Sequence, residues 1–379
     1  MDLDAAISEL SLTDHHVHQA LAGHPARTEF EQLITEGDAP AAPGTTQFDS
    51  QVGFAIRRWC APLLDLEPFA APAEYLDRRA QLGGTEVARR LLRGSGIGRY
   101  LIDTGFEAPG SLSLTEMADV SGGRVDEIVR LEAVAEQLAS SGCGASEFAA
   151  RFRNALWTRS AAAVGLKSIV AYRFGLDFDP EPPSAAEVTA AAGRWLSKAE
   201  RTGRVRLTDP VLLRQLLWTG AERGLPLQLH TGFGDRDLDL HRADPLLLAR
   251  FAERVEPLGV PVMLLHCYPF HRHAGALAQI FPHVYFDVGL ALHYTGARAD
   301  AIVAEALELA PFSKILFSSD AYGPPELHYL GALLWRRAMT RVLGGWVDAG
   351  DWSQDDAIRV ASMIAGQNAV RVYQLTSPA

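Results

Sequence analysis

Residues 12–18 of the chain read LTDHHVH, and this short stretch gives the first prediction of both the fold and the site. The apolar and β-branched residues of Leu12–Val17 predict a β-strand. Side chains two residues apart on a strand point to the same side, so His16 and His18 can face one metal ion. Hydrogen-bonded or exposed histidines are as common at this spacing as metal ligands, so the interpretation depends on the rest of the chain.

Further short apolar runs alternate with helical patterns, which is typical of βα units around a parallel sheet. The predicted strands after the first are Arg99–Thr104, Glu127–Leu131, Gly165–Tyr172, Pro226–His230, Pro261–His266, Val284–Val288 and Lys314–Ser318. Predicted helices include Ser184–Thr202, Asp209–Arg223, Pro245–Val255 and Asp300–Ala310, with Ser353–Tyr373 packed outside the sheet. Eight such strands predict an α/β fold of the (β/α)8 TIM-barrel type.

The stretch Pro25–Gly94 departs from this alternation. Its Pro/Ala/Gly-rich part, Gly37–Thr46, predicts an exposed loop, and Phe48–Leu64 and Ala73–Arg93 predict helices with no strand between them. We therefore expect a helical insertion after the first strand, and one barrel domain that spans residues 1–379.

Polar residues follow the buried-looking strands at comparable positions. His230 ends one apolar run, His266 ends the next, and Asp320 follows the last run through two serines. Because barrel enzymes place their chemistry at the carboxyl ends of the strands, these residues are predicted to gather with His16 and His18. Imidazole and carboxylate groups are the donors expected around Zn²⁺ or a similar divalent ion.

Composition excludes several other classes of protein. The chain of 379 residues has 35 Lys and Arg against 46 Asp and Glu, a net charge of −11, which argues against nucleic-acid binding. The acidic start Met1–Asp4 does not resemble a secretory signal, and no apolar stretch is long enough to predict a membrane span. Three widely spaced cysteines predict reduced thiols, so we expect a cytoplasmic protein.

Several motifs in combination resemble the amidohydrolase superfamily. They are DHHVH at 14–18, GLK at 165–167, AYRFGL at 171–176, QLHTGFGD at 228–235, HCYPF at 266–270 and FSSDA at 317–321. More narrowly, they resemble the amidohydrolase half of the nodulin/glutamine-synthetase fusion proteins. The resemblance covers most of Ser11–Tyr373.

The resemblance implies a metal-dependent hydrolase with specific residue roles. His16, His18, His230 and Asp320 would hold a divalent metal, Zn²⁺ in the first instance with Mn²⁺ or Fe as alternatives. His266 would act as general base or stabilise an oxyanion, and Asp320 would also accept a proton. The other eight histidines are expected to have surface, loop or packing roles, although His293 and His328 could edge the pocket.

Lys167 leaves the number of metal ions open. Some amidohydrolases carry a carboxylated lysine on the fourth strand that bridges two metals. Alternatively, Lys167 is paired with a buried carboxylate such as Asp103 or Glu132, and it would lie too deep to reach a metal if the strand continued regularly to Tyr172. We expect one ion rather than two.

Substrate recognition also has two interpretations at each candidate residue. Arg173 could clamp a substrate carboxylate bidentately or form a structural ion pair at the barrel rim. In the acidic run of Asp235, Asp237 and Asp239, the carboxylates could cap the loop, or one of them could recognise a substrate amine.

The leading functional hypothesis is hydrolysis of a C–N amide bond in a small carboxylated substrate, such as a γ-glutamyl amide. The alternative is a metal-dependent non-oxidative decarboxylase that uses the same site. An aromatic pocket and a second carboxylate-binding arginine would favour that lyase. A catalytically silent barrel is a third hypothesis, but such a chain should have lost a ligand. The expected partner is a small molecule, with no nucleic acid or membrane, and a homo-oligomer is compatible with the sequence.

Overall fold

In a computed structural model of the protein, seven parallel strands form one sheet in the order β1 to β7. The strands are β1 Leu12–Val17, β2 Ile97–Asp103, β3 Arg124–Arg130, β4 Gly165–Ser168, β5 Leu227–Thr231, β6 Val262–His266 and β7 Val284–Phe286. The structure describes residues 2–376, so Met1 and residues 377–379 of the predicted domain lie outside it. The α/β barrel-like fold predicted from the strand pattern is confirmed, with β1 at the predicted bounds.

The eighth predicted strand, Lys314–Ser318, is not a regular strand. Only Ile315 forms a bridge to β7, although the main-chain N–H of His15 donates to Phe317 O at 3.2 Å and so connects the segment to β1. The main-chain N–H of Phe317 donates to Ile364 O, outside the sheet, and the carboxylate of Asp14 accepts the N–H of Ser319. Because these partners replace ladder hydrogen bonds, residues 315–321 join β7 to β1 as an irregular segment.

The fourth strand is shorter than predicted, because a buried carboxylate ends it. Glu132 accepts hydrogen bonds from Ser168 Oγ at 2.6 Å and from the Ile169 N–H at 3.0 Å, and a short helical turn follows at Val170–Arg173. The prediction of a strand to Tyr172 is therefore wrong. The condition under which Lys167 would lie too deep to reach a metal is therefore not met, since Lys167 is the penultimate residue of β4.

Helices surround the sheet. Before β4 they are α1 Leu3–Ser8, α2 Arg27–Gln32, α3 Gln51–Ala55, α4 Pro72–Leu82, α5 Gly84–Gly94, α6 Leu114–Ser121, α7 Leu131–Ser140 and α8 Phe148–Arg159. After β4 they are α9 Val170–Arg173, α10 Ala185–Thr202, α11 Pro210–Arg223, α12 Ala249–Val255, α13 His271–Ile280, α14 Gly289–Thr295, α15 Ala299–Ala306, α16 Pro325–Asp348, α17 Gln354–Ser362 and α18 Asn368–Val372. Tighter or wider helical turns occupy Ile56–Cys60, Ala61–Leu64, Leu240–Arg242, Pro245–Leu248, Glu256–Leu258, Gly296–Arg298, Phe312–Lys314 and Met363–Gln367.

Local sequence signals explain where several helices begin and end. Ser184 and Glu187 form a capping box at α10, and Asp209 caps α11, whose first residue is Pro210. The predicted helix Ala73–Arg93 is two helices, because Gly83 lies between α4 and α5 with φ +89°. Left-handed backbone of this kind is easy for glycine and interrupts an α-helix.

The helical insertion is held to the barrel by a buried ion pair. Arg79 on α4 donates from Nε to Glu326 on α16 at 2.6 Å, and Tyr75 Oη donates to the same carboxylate at 2.7 Å. Arg79 and Glu326 are both buried. The insertion thus packs on the same core as the barrel helices.

The interior of the barrel is filled by a smaller apolar cluster. Leu101, Met263 and Leu265 from the strands pack with Val372 and Tyr373 of the C-terminal segment. The phenol of Tyr373 therefore reaches inside the sheet. In residues 2–376, no helix combines the length and the apolar character needed to span a bilayer.

Candidate functional site

His16 and His18 stand at the end of β1, and Asp320 lies in the irregular segment beside it. His16 Nε2 is 3.1 Å from Asp320 Oδ1, and His18 Nε2 is 4.0 Å from the same oxygen. One donor atom from each of the three residues lies within 4.8 Å of the other two. These three ligands, which were predicted from the strand ends, therefore lie close together in the structure.

A buried glutamine fixes the ring of His16. Gln228 Nε2 donates to His15 O at 2.7 Å and to Tyr373 Oη at 2.8 Å, so its Oε1 must be the atom 2.8 Å from His16 Nδ1. Because that oxygen accepts, Nδ1 carries the proton and Nε2 keeps its lone pair for a metal. His18 is oriented in the same sense, since its Nδ1 lies 3.2 Å from Asp103 O.

His230 is the penultimate residue of β5 and His266 is the last residue of β6, and both side chains are buried. Their ring centroids are 4.7 Å apart. His266 Nδ1 is 3.0 Å from Asp320 Oδ2, without hydrogen-bond alignment, while His230 Nε2 has no hydrogen-bond partner among residues 2–376. His230 does not belong to the compact group of three donors, although it lines the same cavity.

The backbone is strained where the site side chains leave the strands. His266 has φ +65° and Asp320 has φ +47°, in the left-handed region that most residues avoid. Asp287 stabilises the turn at His266, because its Oδ1 accepts the His266 N–H at 3.1 Å and its other oxygen lies 3.0 Å from His15 Nε2. Strain of this kind is concentrated at functional sites.

Burial sets the charge of the site residues. It lowers the pKa of His16, His230 and His266 well below the ordinary histidine value and that of His18 to about 4. Neutral imidazoles are the form that binds metals. Burial raises the pKa of Asp320, and the charge of Lys167 opposes that shift.

The residues present fit a divalent cation. A buried nitrogen with no partner, such as His230 Nε2, is unfavourable unless something binds it. Histidine nitrogens and a carboxylate at this spacing are the donor set of catalytic zinc sites. Because the surrounding histidines are neutral, they do not repel a cation that binds next to the buried carboxylate of Asp320.

Lys167 lies among these groups, fully buried by the sheet. Its Nζ is 3.1 Å from His16 Nε2, and no carboxylate oxygen of the described residues is within 4.0 Å of it. The alternative of an ion pair with Asp103 or Glu132 is therefore wrong: Asp103 pairs with Arg130 at 2.6 Å, and Glu132 bonds Ser168. Burial lowers the pKa of Lys167 to about 8.

A cavity of about 610 Å³ opens beside these groups and is lined in part by His18, Lys167, His230, His266 and Asp320, whereas His16 is fully buried and does not line it. Arg173 lines it, but its Nη1 donates to Glu136 at 2.8 Å, so the structural ion pair considered from the sequence is present. Two contributors that sequence reasoning missed are Arg130, at the end of β3, and Glu36, from the insertion. The strand-end rule could have found Arg130, whereas Glu36 comes from a segment with no recognisable pattern.

The remaining histidines are mostly packing residues. His15, His293 and His328 are buried, and neither His293 nor His328 lines the cavity. His271 pairs with Glu305 and His273 with Asp244 on outer helices and loops. His293 and His328 thus have the packing role expected of them, and the alternative position at the pocket edge is not observed.

Comparison with known proteins gives a consistent picture. Residues 120–375 match a family model described as amidohydrolase. A protein of Lactobacillus casei ATCC 334, described as a candidate metal-dependent hydrolase, has a crystal structure that is 29% identical with a TM-score of 0.86, covering 98% of this chain and 97% of that one. Glucuronate isomerase of Caulobacter crescentus shares the fold, with 14% identity and a TM-score of 0.65 over 100% of this chain and 94% of that one.

One curated relative is Protein fluG of Emericella nidulans, which is 29% identical over 96% of this chain and 46% of its own length. The chain thus spans about half the length of the curated relative that it matches.

Proposed function

Since the chain belongs to the amidohydrolase family and is a metal-dependent hydrolase, we propose that it cleaves a C–N amide bond in a small carboxylated substrate such as a γ-glutamyl amide. The observation that carries the proposal is the group of His16, His18 and Asp320 donors, of which His18 and Asp320 line the cavity. This is the position at which barrel enzymes bind substrate.

His16, His18, His230 and Asp320 would hold the ion, and Zn²⁺ suits three imidazoles and one carboxylate best. When bound, the ion would activate a water molecule and polarise the scissile carbonyl. The neutral state of the three histidines and the orientation that Gln228 gives His16 support this assignment.

Asp320 and His266 would handle the protons. Asp320 Oδ2 lies 3.0 Å from His266 Nδ1, so a proton taken up by the carboxylate has a nitrogen beside it. Burial raises the pKa of the Asp320 carboxylate, which makes it a stronger base, and holds His266 in the neutral form. The carboxylate would accept the proton of the attacking water as general base, and His266 would take up that proton and deliver it to the leaving nitrogen.

We propose one metal ion, with a second ion bridged by carboxylated Lys167 as the alternative. Lys167 Nζ lies 3.1 Å from His16 Nε2, so this side chain is next to the proposed metal ligands whether or not it is carboxylated. Elemental analysis of zinc-loaded protein separates them. One ion per chain in both the wild type and Lys167→Met supports the proposal, whereas two ions that fall to one in Lys167→Met support the bridge.

A metal-dependent decarboxylase is the second candidate, since Phe106, Tyr172 and Tyr322 line the cavity. Its other sequence criterion, a second arginine free to bind a carboxylate, is not met among the described residues. The lining residues Arg130, Arg206 and Arg236 pair with Asp103, Asp237 and Asp38 respectively.

The test is a metal-loaded screen of γ-glutamyl and N-acyl amides beside aromatic carboxylates, which measures ammonia or amine against CO₂. Amine release that disappears in Asp320→Asn, with thermal unfolding unchanged, supports the hydrolase. CO₂ release alone would establish the lyase. A cytoplasmic location and a small-molecule partner also belong to this proposal, and assembly into homo-oligomers is a further prediction for sedimentation to test.

A further inference from the structure

We propose that a second cleft, between the helical insertion and α16, binds a small-molecule phosphate monoester whose organic part is a planar apolar group. The cleft has a volume of about 230 Å³, and we call it the arginine cleft after its lining residues Arg58, Arg337 and Arg341. None of its lining residues lines the cavity beside the candidate metal ligands. The proposal therefore does not depend on the proposed function.

One indole ring and one helix bring the three guanidinium groups of the arginine cleft together. The guanidinium carbon of Arg58 lies 4.1 Å from the centre of the Trp59 ring, and that of Arg337 lies 4.3 Å from the same centre. Arg337 and Arg341 are four residues apart on α16, a spacing at which two side chains lie on the same face of a helix. The three positive charges are therefore neighbours, although they come from different parts of the chain.

The positive charge of the arginine cleft is not balanced by its own residues. Among residues 2–376, no carboxylate oxygen lies within 4.0 Å of a guanidinium nitrogen of Arg58 or Arg337, and neither side chain donates a hydrogen bond. Asp300 is the single carboxylate of the lining, and its Oδ2 is 4.0 Å from Arg341 Nη1, too far for a hydrogen bond. Burial and the charges of Arg341 and Arg58 lower the pKa of Arg337, while Asp4 opposes that shift from outside the cleft. A bound anion would therefore relieve repulsion between the arginines.

A phosphate monoester suits this arrangement in charge and in shape. Three guanidinium groups and one carboxylate leave two positive charges unbalanced, and a phosphate monoester carries about −1.5 to −2 at pH 7. Its three terminal oxygens can accept several N–H donors at once, and guanidinium groups bind phosphate bidentately. A carboxylate carries a single negative charge and would leave part of the excess unmatched.

The rest of the arginine cleft is apolar and aromatic. Phe54 and Phe69 line it, with 53% and 60% of their surface exposed. The guanidinium carbon of Arg58 is 5.4 Å from the centre of the Phe69 ring, so an exposed ring adjoins the charged part of the cleft. Exposed apolar groups beside unpaired arginines are typical of binding sites. A planar apolar group attached to the phosphate would cover these rings.

A second copy of this chain suits the arginine cleft less well than a small anion. The contact in a two-fold symmetric dimer joins the same surface of both copies. Such a contact would bring two sets of the same three arginines together. Like charges placed against each other disfavour that association.

The experiment measures how tightly the zinc-loaded full chain binds phenyl phosphate, inorganic phosphate, benzoate and phenol, by calorimetry at constant ionic strength. We expect phenyl phosphate to bind at least ten-fold more tightly than each of the other three. The reason is that phenyl phosphate alone combines an aromatic ring with a charge close to −2. Its affinity should fall as the salt concentration rises, because paired charges are screened.

Arg337→Gln and Arg341→Gln test where the probe binds. Each substitution removes charge-assisted hydrogen bonds and should weaken the binding of phenyl phosphate at least ten-fold. The Arg341 side chain is 54% exposed, so Arg341→Gln should keep the wild-type midpoint of thermal unfolding even if Arg337→Gln disturbs the packing on Trp59. Arg250→Gln is the matched control, because it removes the same charge from an exposed arginine outside the cleft. Its affinity should stay within two-fold of the wild type.

Several outcomes would overturn the proposal. Equal binding of phenyl phosphate and benzoate would exclude a site for phosphate monoesters, and equal binding of phenyl phosphate and inorganic phosphate would exclude a role for the aromatic rings. Phenyl phosphate that binds both cleft variants as tightly as the wild type occupies another site, such as the metal centre. If the chain self-associates, loses that association in Arg341→Gln and binds none of the probes, the arginine cleft is an interface between copies and the proposal is wrong.

Discussion

The side chain of Gln228 provides a direct test of the metal site, because it touches a predicted ligand without being one. In Gln228→Leu the acceptor for the Nδ1 proton of His16 is lost, a contact of 2.8 Å. The ring can then turn or adopt the other tautomer, which would place a proton on Nε2. We therefore expect the affinity for Zn²⁺ to fall while all proposed ligands remain.

The size of the effect follows from the contacts. Loss of a hydrogen bond that orients a metal-ligating histidine typically weakens metal binding by about 10- to 100-fold, or about 1.4–2.7 kcal/mol. The substitution also leaves His15 O without its donor, which should lower the free energy of unfolding by about 1–3 kcal/mol. Tyr373 keeps its contact with His15 Nδ1 at 3.0 Å.

Competition with a chromophoric zinc chelator measures the affinity, and urea unfolding of the metal-free protein measures the stability. Tyr373→Phe is the matched control, because it removes a hydroxyl from the same buried network but leaves the contact between Gln228 and His16 intact. We expect Tyr373→Phe to lose stability and to bind Zn²⁺ within two-fold of the wild type. Unchanged affinity in Gln228→Leu, or an equal loss in both variants, would refute the reasoning.

Two other perturbations have defined outcomes. Glu326→Gln leaves the guanidinium of Arg79 buried without a counter-charge and should destabilise the protein by about 3–5 kcal/mol in urea unfolding; a change below 1 kcal/mol would contradict it. Removal of zinc with a chelator should lower the midpoint of thermal unfolding, because only the folded chain holds the ligands together; an unchanged midpoint would argue against a bound ion.

The strand ends could be predicted from the sequence because two local signals coincide there. A run of buried apolar residues predicts the strand, and the polar residue that follows predicts a side chain at the barrel rim. These two signals were sufficient to predict that His16, His18 and Asp320, which come from opposite ends of the chain, lie close together. They also predicted that His230 and His266 lie near this group, and both line the same cavity.

Features set by long-range partners could not be predicted in this way. The end of β4 depends on Glu132, a residue on α7, and no property of residues 165–172 indicates it. The irregular segment after β7 depends on Asp14 and Ile364. Asp14 accepts the N–H of Ser319 and Ile364 O accepts the N–H of Phe317, so these donors are not available to a neighbouring strand. Glu36 reaches the cavity only because the insertion folds back over the barrel, and its sequence surroundings are those of an ordinary loop.

The left-handed backbone at His266 and Asp320 limits which amino acids can occupy these positions during evolution or in a mutant library. Histidine, aspartate, asparagine and glycine tolerate this conformation, whereas β-branched and bulky residues do not. Asparagine is therefore a geometrically matched replacement at both positions and separates chemistry from folding. Glutamate at position 320 keeps the charge but does not suit the backbone. A saturation library at these two positions should accordingly yield folded protein from a short list of residue types, whatever reaction is being selected.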